Sequence, residues 1–202
     1  MRTILLSLLV TSACLALGPV TITSPVAVGD CAADDIRVVE EAGEYYIAAY
    51  FQNMDAIAET KVLDKKRCTM NYKIQLAPDY KLDVFQFSVD GVYQLSEHGT
   101  ARLTVSHRVV NNSSARTTKF FSASQGDAAM GDIHDYSGAI SADQIPASYS
   151  HCGASIPLTT SIYAEAVKPA ADQTGLTRIS LDEGVSSHYT KLCKIVVDPC
   201  QR

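Results

Sequence analysis

The sequence predicts an all-β protein, a single-domain antiparallel β-sandwich of about ten strands that is stabilised by disulfide bonds. Three observations support this fold class. Apolar and polar residues alternate with a period of two, turn-forming residues separate these stretches, and five cysteines follow residue 18. Such alternation indicates strands with one buried and one hydrated face. No stretch has a convincing helical period.

The strands are predicted in chain order from this alternation. The clearest one spans 69–76, where Met70, Tyr72, Ile74 and Leu76 alternate with polar residues, and the pattern returns at 101–109 and 156–164. The other β-rich runs are 19–28, 35–40, 44–52, 82–90, 115–123, 174–181 and 187–197. Residues that tolerate tight or left-handed backbone separate the runs, at Ala42-Gly43, Pro78-Asp79, Asp90-Gly91, His98-Gly99, Asn111-Asn112, Gly126-Asp127 and Glu183-Gly184.

The segment 124–151 differs from the rest of the chain. It is rich in Gly, Ala, Ser and Asp, and its strand signals are weak. We predict a long loop or an excursion along a sheet edge. Because irregular surface segments often carry function, any binding site is expected to involve this segment.

Composition and charge exclude several classes of protein. The chain has 202 residues, 47% of them hydrophobic and 19% charged, which is ordinary for one packed domain and excludes wholesale disorder. It has 17 Lys and Arg against 22 Asp and Glu, a net charge of −5. A charge-driven nucleic-acid binder would usually be basic, so we expect no nucleic-acid or anionic-lipid partner.

The N-terminus has the layout of a secretory signal. Arg2 precedes an uncharged, mostly apolar run at 3–17 that is too short to span a membrane. We predict a signal peptide at 1–18, with cleavage between Ala13 and Gly29, followed by a β-sandwich domain at 19–202. The protein is then secreted and extracellular. As an alternative, the segment 10–14 resembles a bacterial lipobox, in which a lipid on Cys14 would anchor the protein at the cell surface.

Five cysteines remain after the signal is removed: Cys31, Cys68, Cys152, Cys193 and Cys200. In an oxidising compartment this spacing indicates two disulfide bonds and one free thiol. Close C-x-x-C pairs, which are typical of zinc sites, are absent. Spacing alone leaves the pairing open.

The cysteine framework and the strand order resemble a family of small secreted domains of unknown function from filamentous fungi and some bacteria. The matching segments are Val28-Gly29-Asp30-Cys31, Lys66-Arg67-Cys68 with 70–74, Val89 to Leu95, Ser150-His151-Cys152-Gly153, and Tyr189 to Cys200. The resemblance implies that Cys31 is bridged to Cys68 and Cys152 to Cys200, with Cys193 free. It implies no established activity.

A cluster of polar residues in the segment 124–151 is the candidate for chemistry. Asp127, Asp132, His134 and Asp135 supply carboxylates and an imidazole, which can bind a divalent ion or transfer protons. Their spacing matches neither an EF-hand nor a zinc pattern, and a solvated loop with capping aspartates is the favoured interpretation. The chain also lacks a Gly-x-Ser-x-Gly motif, a phosphate loop and a dinucleotide fingerprint, so no cofactor is predicted.

Two further features bear on the surface. Tyr46 and Tyr50 share one face of a predicted strand and form a candidate binding surface, although burial is the commoner explanation for such tyrosines. Asn111 and Asn112 begin two overlapping N-glycosylation sequons in a predicted hairpin turn.

We interpret the chain as a secreted, monomeric β-sandwich that acts as a non-catalytic binding or surface module for an extracellular ligand or protein. One alternative is a secreted hydrolase or metal-dependent enzyme centred on 127–135. A second is an inhibitor or host-interaction protein that presents the segment 124–151 to its partner.

Overall fold

The structure is a computed structural model of the chain. It describes residues 18–32, 36–51, 54–110, 113–123, 128–171, 175–181 and 189–201, without the side chains of residues 134, 136 and 137.

The described residues form twelve β-strands and no α-helix. The predicted all-β class is therefore confirmed, with more strands than the ten expected. The strands are β1 (Val20–Gly29), β2 (Ile36–Glu41), β3 (Glu44–Ala49), β4 (Ala56–Ala58), β5 (Leu63–Leu76), β6 (Tyr80–Leu95), β7 (Thr100–Val109), β8 (Ser113–Ser122), β9 (Ala129–Ser141), β10 (Ser155–Val167), β11 (Thr177–Ser180) and β12 (Thr190–Pro199).

The strands form two antiparallel sheets that pack face to face as a sandwich. The five-stranded sheet has the order β1-β5-β10-β7-β8. In the seven-stranded sheet, six strands have the order β2-β3-β12-β6-β11-β4. The seventh strand, β9, pairs with β6 along the side opposite β12. The strand β6 is thus central to the second sheet, whereas β8 and β9 are neighbouring edges of the two sheets.

The core lies between the sheets and follows from the alternation. Along β5 every second residue from Cys68 to Leu76 is buried, and β7 and β10 repeat this pattern. The facing sheet contributes Phe85 and Phe87 of β6 to the same core. Burial of apolar side chains on one face of each strand is the main source of stability for such a sandwich. The polar side chains of the same strands are consequently left on the outer faces.

The segment 124–151 contains a strand where the sequence suggested a loop. Residues 129–141 form β9, which pairs with β6 from Leu95↔Ala129 to Val84↔Ser141. Backbone groups make the hydrogen bonds of a sheet, so small and polar residues can complete a ladder despite low β-propensity. The loop interpretation is therefore wrong for these residues, whereas the location at a sheet edge is right.

Two disulfide bonds join Cys31 to Cys68 and Cys152 to Cys200, the pairing that the family resemblance implies. The first bond lies where β1 meets β5. Gly29 has φ of +110° there, and a Cβ at this position would lie 2.2 Å from the carbonyl oxygen of Arg67. Only glycine allows the backbones to approach this closely beside the disulfide.

Candidate binding surface

The outer face of the five-stranded sheet is an exposed array of polar and basic side chains. Strand register sets this array, because residues paired across β5, β10, β7 and β8 point to the same side. We call it the basic face and define it by the outward residues of these four strands. These are Lys65, Arg67, Thr69, Asn71 and Lys73 of β5, Thr159, Ser161, Tyr163 and Glu165 of β10, Arg102, Thr104, Ser106 and Arg108 of β7, and Ser114, Arg116, Thr118 and Phe120 of β8.

Charge is strongly segregated onto this face. Its six basic side chains are opposed by one carboxylate, Glu165, which gives it a net charge of +5. Because the whole chain carries −5, the remaining residues together carry −10. Positive potential therefore concentrates on one side of an acidic protein.

Tyr163 is the centre of an ordered cluster on the basic face. The guanidinium carbons of Arg67 and Arg102 lie 5.3 Å and 4.9 Å from the centroid of its ring. Its hydroxyl donates a hydrogen bond to Glu165 and accepts one of 3.2 Å from Nη2 of Arg102. The ring is thus held by cation–π contacts from both neighbouring strands.

Glu165 joins the cations of this cluster. Its carboxylate lies 3.1 Å from Nζ of Lys65 and 3.4 Å from Nη2 of Arg102. Partial burial acts to raise the pKa of Glu165, but the hydrogen bonds from Tyr163 and Lys65 outweigh it and keep the pKa below its usual value. The carboxylate is therefore ionised at neutral pH and contacts two of the six cations.

Four basic residues have no carboxylate partner. In the parts of the chain that the structure describes, Lys73, Arg108 and Arg116 are exposed and make no ion pair, and Arg67 contacts only the ring of Tyr163 through its guanidinium group. Exposed guanidinium groups carry several hydrogen-bond donors that suit carboxylates and phosphates. These cations are available to an anionic ligand.

Hydroxyl and amide groups fill the area between the cations. Oγ1 of Thr69 lies 3.3 Å from Oγ of Ser161, and Oγ1 of Thr104 lies 3.2 Å from Oγ1 of Thr118. The hydroxyl of Thr159 donates a 2.7 Å hydrogen bond to Oδ1 of Asn71. The result is an open, hydrogen-bonding surface on the outside of the sheet.

The acidic cluster predicted from sequence is not brought together by the described residues. Asp132 is exposed on β9, whereas Asp135 faces the opposite side and lies 3.3 Å from Nζ of Lys119. Asp127 and the side chain of His134 lie outside the described residues. Within the described part of the chain, no group of three or more His, Cys, Asp or Glu is arranged to hold a metal ion.

The predicted tyrosine pair is divided by the end of a strand. Tyr46 lies on β3, and Tyr50 is the first residue after that strand and is exposed. The ammonium group of Lys191 lies 4.5 Å from the centroid of the Tyr46 ring, and the Tyr46 hydroxyl donates to Glu44. Tyr46 therefore already has partners on the outer face of the seven-stranded sheet, and its role in binding remains a prediction.

The predicted glycosylation sites and the free cysteine lie on other parts of the chain. Asn111 and Asn112 lie outside the described residues, between the paired strands β7 and β8. Cys193 is a free, fully buried thiol of β12. Burial raises its pKa well above the usual value for cysteine, so it is not a reactive nucleophile in the folded protein.

Two shallow depressions flank the Cys152–Cys200 disulfide. One is lined by residues that include Lys81 and Asp198, and the other by residues that include Gln75 and Pro78. No helix among the described residues is long and apolar enough to cross a membrane.

Residues 19–200, nearly the whole sandwich, match a family described as Domain of unknown function (DUF4360). The chain belongs to this family. A comparison with curated proteins finds no match. The DUF4360 match covers both disulfides and all twelve strands, so the basic face is part of the family domain.

Among solved structures, the chain is similar to two carbohydrate-binding modules. One is TmCBM61, solved with beta-1,4-galactotriose, at 10% identity and a TM-score of 0.26, covering 78% of this chain and 84% of that one. The other is TmCBM27, a module for mannan recognition, at 8% identity and a TM-score of 0.28, covering 87% and 96%. At these values the similarity says nothing about the ligand of this DUF4360 domain.

The net charge of the chain does not reveal the basic face. The acidic balance of the chain argued against anionic partners, but that balance averages over all surfaces. Dividing each alternating strand into its two faces would have placed Arg67 and Lys73 together, and likewise Arg102 and Arg108. What sequence could not provide is the order of the strands that brings these pairs side by side.

Proposed function

We propose that this DUF4360 domain is a secreted, non-catalytic binding module and that it binds its ligand across the basic face. One observation carries the proposal: Arg67, Lys73, Arg108 and Arg116 surround a field of partly exposed, hydrogen-bonded hydroxyl groups and lack carboxylate partners within the described chain. These four side chains lie on the outer face of the sheet and contribute nothing to the core between the sheets. Binding is the function that uses them.

Secretion is supported by the signal-like segment 1–18 and by the two disulfide bonds. Disulfides persist mainly in oxidising compartments such as the extracellular space.

The chemistry of the basic face supports binding instead of catalysis. Its single carboxylate, Glu165, is held by Tyr163, Lys65 and Arg102. These contacts keep its pKa low, so it is a poor proton donor near neutral pH. The open outer face of a sheet also does not exclude water from a reaction.

The test is a pair of bulky substitutions on opposite outer faces. Ser161 lies at the centre of the basic face, and Ala139 is exposed on β9 of the other sheet. The ligand is sought by measuring binding of the mature domain to an array of neutral and acidic polysaccharides. Ser161→Phe should abolish binding, whereas Ala139→Phe should leave it unchanged. A ligand bound equally well by both variants would contradict the proposed surface.

A further inference from the structure

We infer that the ligand of the basic face is an acidic polysaccharide that carries carboxylate groups along an extended chain. The inference rests on the proposed function and specifies its ligand class. Charge complementarity supports the anionic character, and the hydroxyl field supports the carbohydrate character.

The basic residues without a carboxylate partner are separated by distances that allow each to bind a different negative charge along a polymer. Arg108 and Arg116 are diagonal neighbours on the adjacent strands β7 and β8, since Arg108 pairs with Ser114 and Arg116 pairs with Ser106, two residues further along. Such diagonal neighbours are about 7–8 Å apart. From strand spacing, Lys73 lies about 12 Å and Arg67 about 16 Å from Arg108. The cations therefore form separate anchoring points across the sheet instead of one pocket for a single small anion.

The groups between these anchors are hydrogen-bonding partners for sugar hydroxyls. Ser161 and Ser106 pair directly across β10 and β7, and Thr159 pairs with Arg108. Side-chain hydroxyls both donate and accept, as sugar hydroxyls do. A polymer that runs diagonally from Arg67 on β5 to Arg116 on β8 would pass Ser161 and Ser106 between the two cations.

The contacts of the aromatic side chains disfavour nucleic acid as the ligand. Single-stranded nucleic acid binds where bases stack on aromatic rings, but the ring of Tyr163 is contacted by the guanidinium groups of Arg67 and Arg102. Phe120, 65% exposed, lies at the margin on the edge strand β8.

The experiment compares polygalacturonate with the same polymer after its carboxyl groups have been reduced to alcohols. Binding to the mature domain is measured by calorimetry at low and moderate salt, with single-stranded DNA as a further probe. We expect binding to polygalacturonate that weakens as salt rises, and no measurable binding to the reduced polymer. Arg67→Gln, Arg108→Gln and Arg116→Gln should each weaken binding about two- to fivefold, by loss of one exposed charge contact. The matched control is Lys81→Gln, at an exposed position of β6 in the other sheet, which should bind as the unsubstituted domain does.

The remaining outcomes distinguish failure of the acidic-polysaccharide ligand from failure of the binding surface. Equal binding of both polymers, abolished by Ser161→Phe, would overturn the acidic ligand and retain the binding surface. Tighter binding of single-stranded DNA than of polygalacturonate, lost in the arginine variants, would overturn the carbohydrate and retain the surface. Absence of binding to any polysaccharide or to DNA, or binding that Ser161→Phe leaves intact, would overturn both.

Discussion

His107 and Thr160 form a polar contact in the centre of the sandwich core, where Nδ1 of His107 lies 3.1 Å from Oγ1 of Thr160. The ring of His107 stacks on Phe87 with 4.1 Å between centroids. Both residues are fully buried, and Nε2 of His107 has no hydrogen-bond partner within the described structure. A neutral imidazole is thus enclosed by the two sheets, at a site where a charged one would be poorly accommodated.

Acid should destabilise the protein through His107. Desolvation lowers the pKa of His107 to about 3, whereas the unfolded chain titrates near the ordinary value of about 6.5. The unfolded state therefore binds more protons between these values, so stability falls as pH drops below about 6.5 and levels off near 3. We expect a loss of about 2 kcal/mol between pH 7 and pH 5 from this residue.

The measurement is urea unfolding at several pH values for the unsubstituted domain and for His107→Phe, which keeps an aromatic ring against Phe87. As pH falls, the unfolding free energy of the unsubstituted domain should decrease more than that of His107→Phe. A difference that stays constant from pH 7 to pH 5 would exclude His107 as the source of acid sensitivity.

Thr160 connects two buried polar side chains. Its hydroxyl lies 2.9 Å from the hydroxyl of Tyr72 as well as contacting His107. Thr160→Val should lower the free energy of unfolding by about 1–3 kcal/mol, because it leaves buried polar atoms without partners. Thr104→Val, on the basic face, is the control and should cost much less. Equal losses in the two variants, measured by denaturant unfolding, would show that the buried network contributes nothing specific.

The thiol of Cys193 should be chemically inert until the protein unfolds. It is fully buried, and its pKa is raised by that burial, so both access and the thiolate form are suppressed. Mass spectrometry after treatment with iodoacetamide should find no modification under native conditions and one modified cysteine in non-reducing denaturant. Rapid labelling of the native domain at Cys193 would contradict its place in the core.

Each disulfide should make a large contribution to stability. The Cys31–Cys68 bond closes a separation of 37 residues and the Cys152–Cys200 bond one of 48. In the chain-entropy account, loops of this length contribute about 4 kcal/mol each. The Cys31→Ala/Cys68→Ala double variant should therefore melt at a markedly lower temperature. Non-reducing peptide mapping provides the check on pairing, and a Cys193–Cys200 link would refute the observed connectivity.

The predictable part of the candidate site is the orientation of side chains along each strand. In β7, alternation alone places Arg102 and Arg108 opposite the buried Leu103 and Val105, as the structure has them. Alternation also predicted the strand β5 from 69 to 76, although β5 begins earlier, at Leu63. The charged run from Asp64 to Arg67 conceals that start, because both faces of the strand are polar there.

The sequence by itself therefore determined the all-β class, the two faces of its main strands and the oxidised character of its cysteines, because period-two burial and cysteine content are local properties. Tertiary structure decided which strands are neighbours. Arg67, Arg102 and Tyr163 meet only because β10 lies between β5 and β7. It also decided that 129–141 joins a sheet. Backbone hydrogen bonds pair strands whatever their side chains, so the order of strands depends on how the whole chain buries its core.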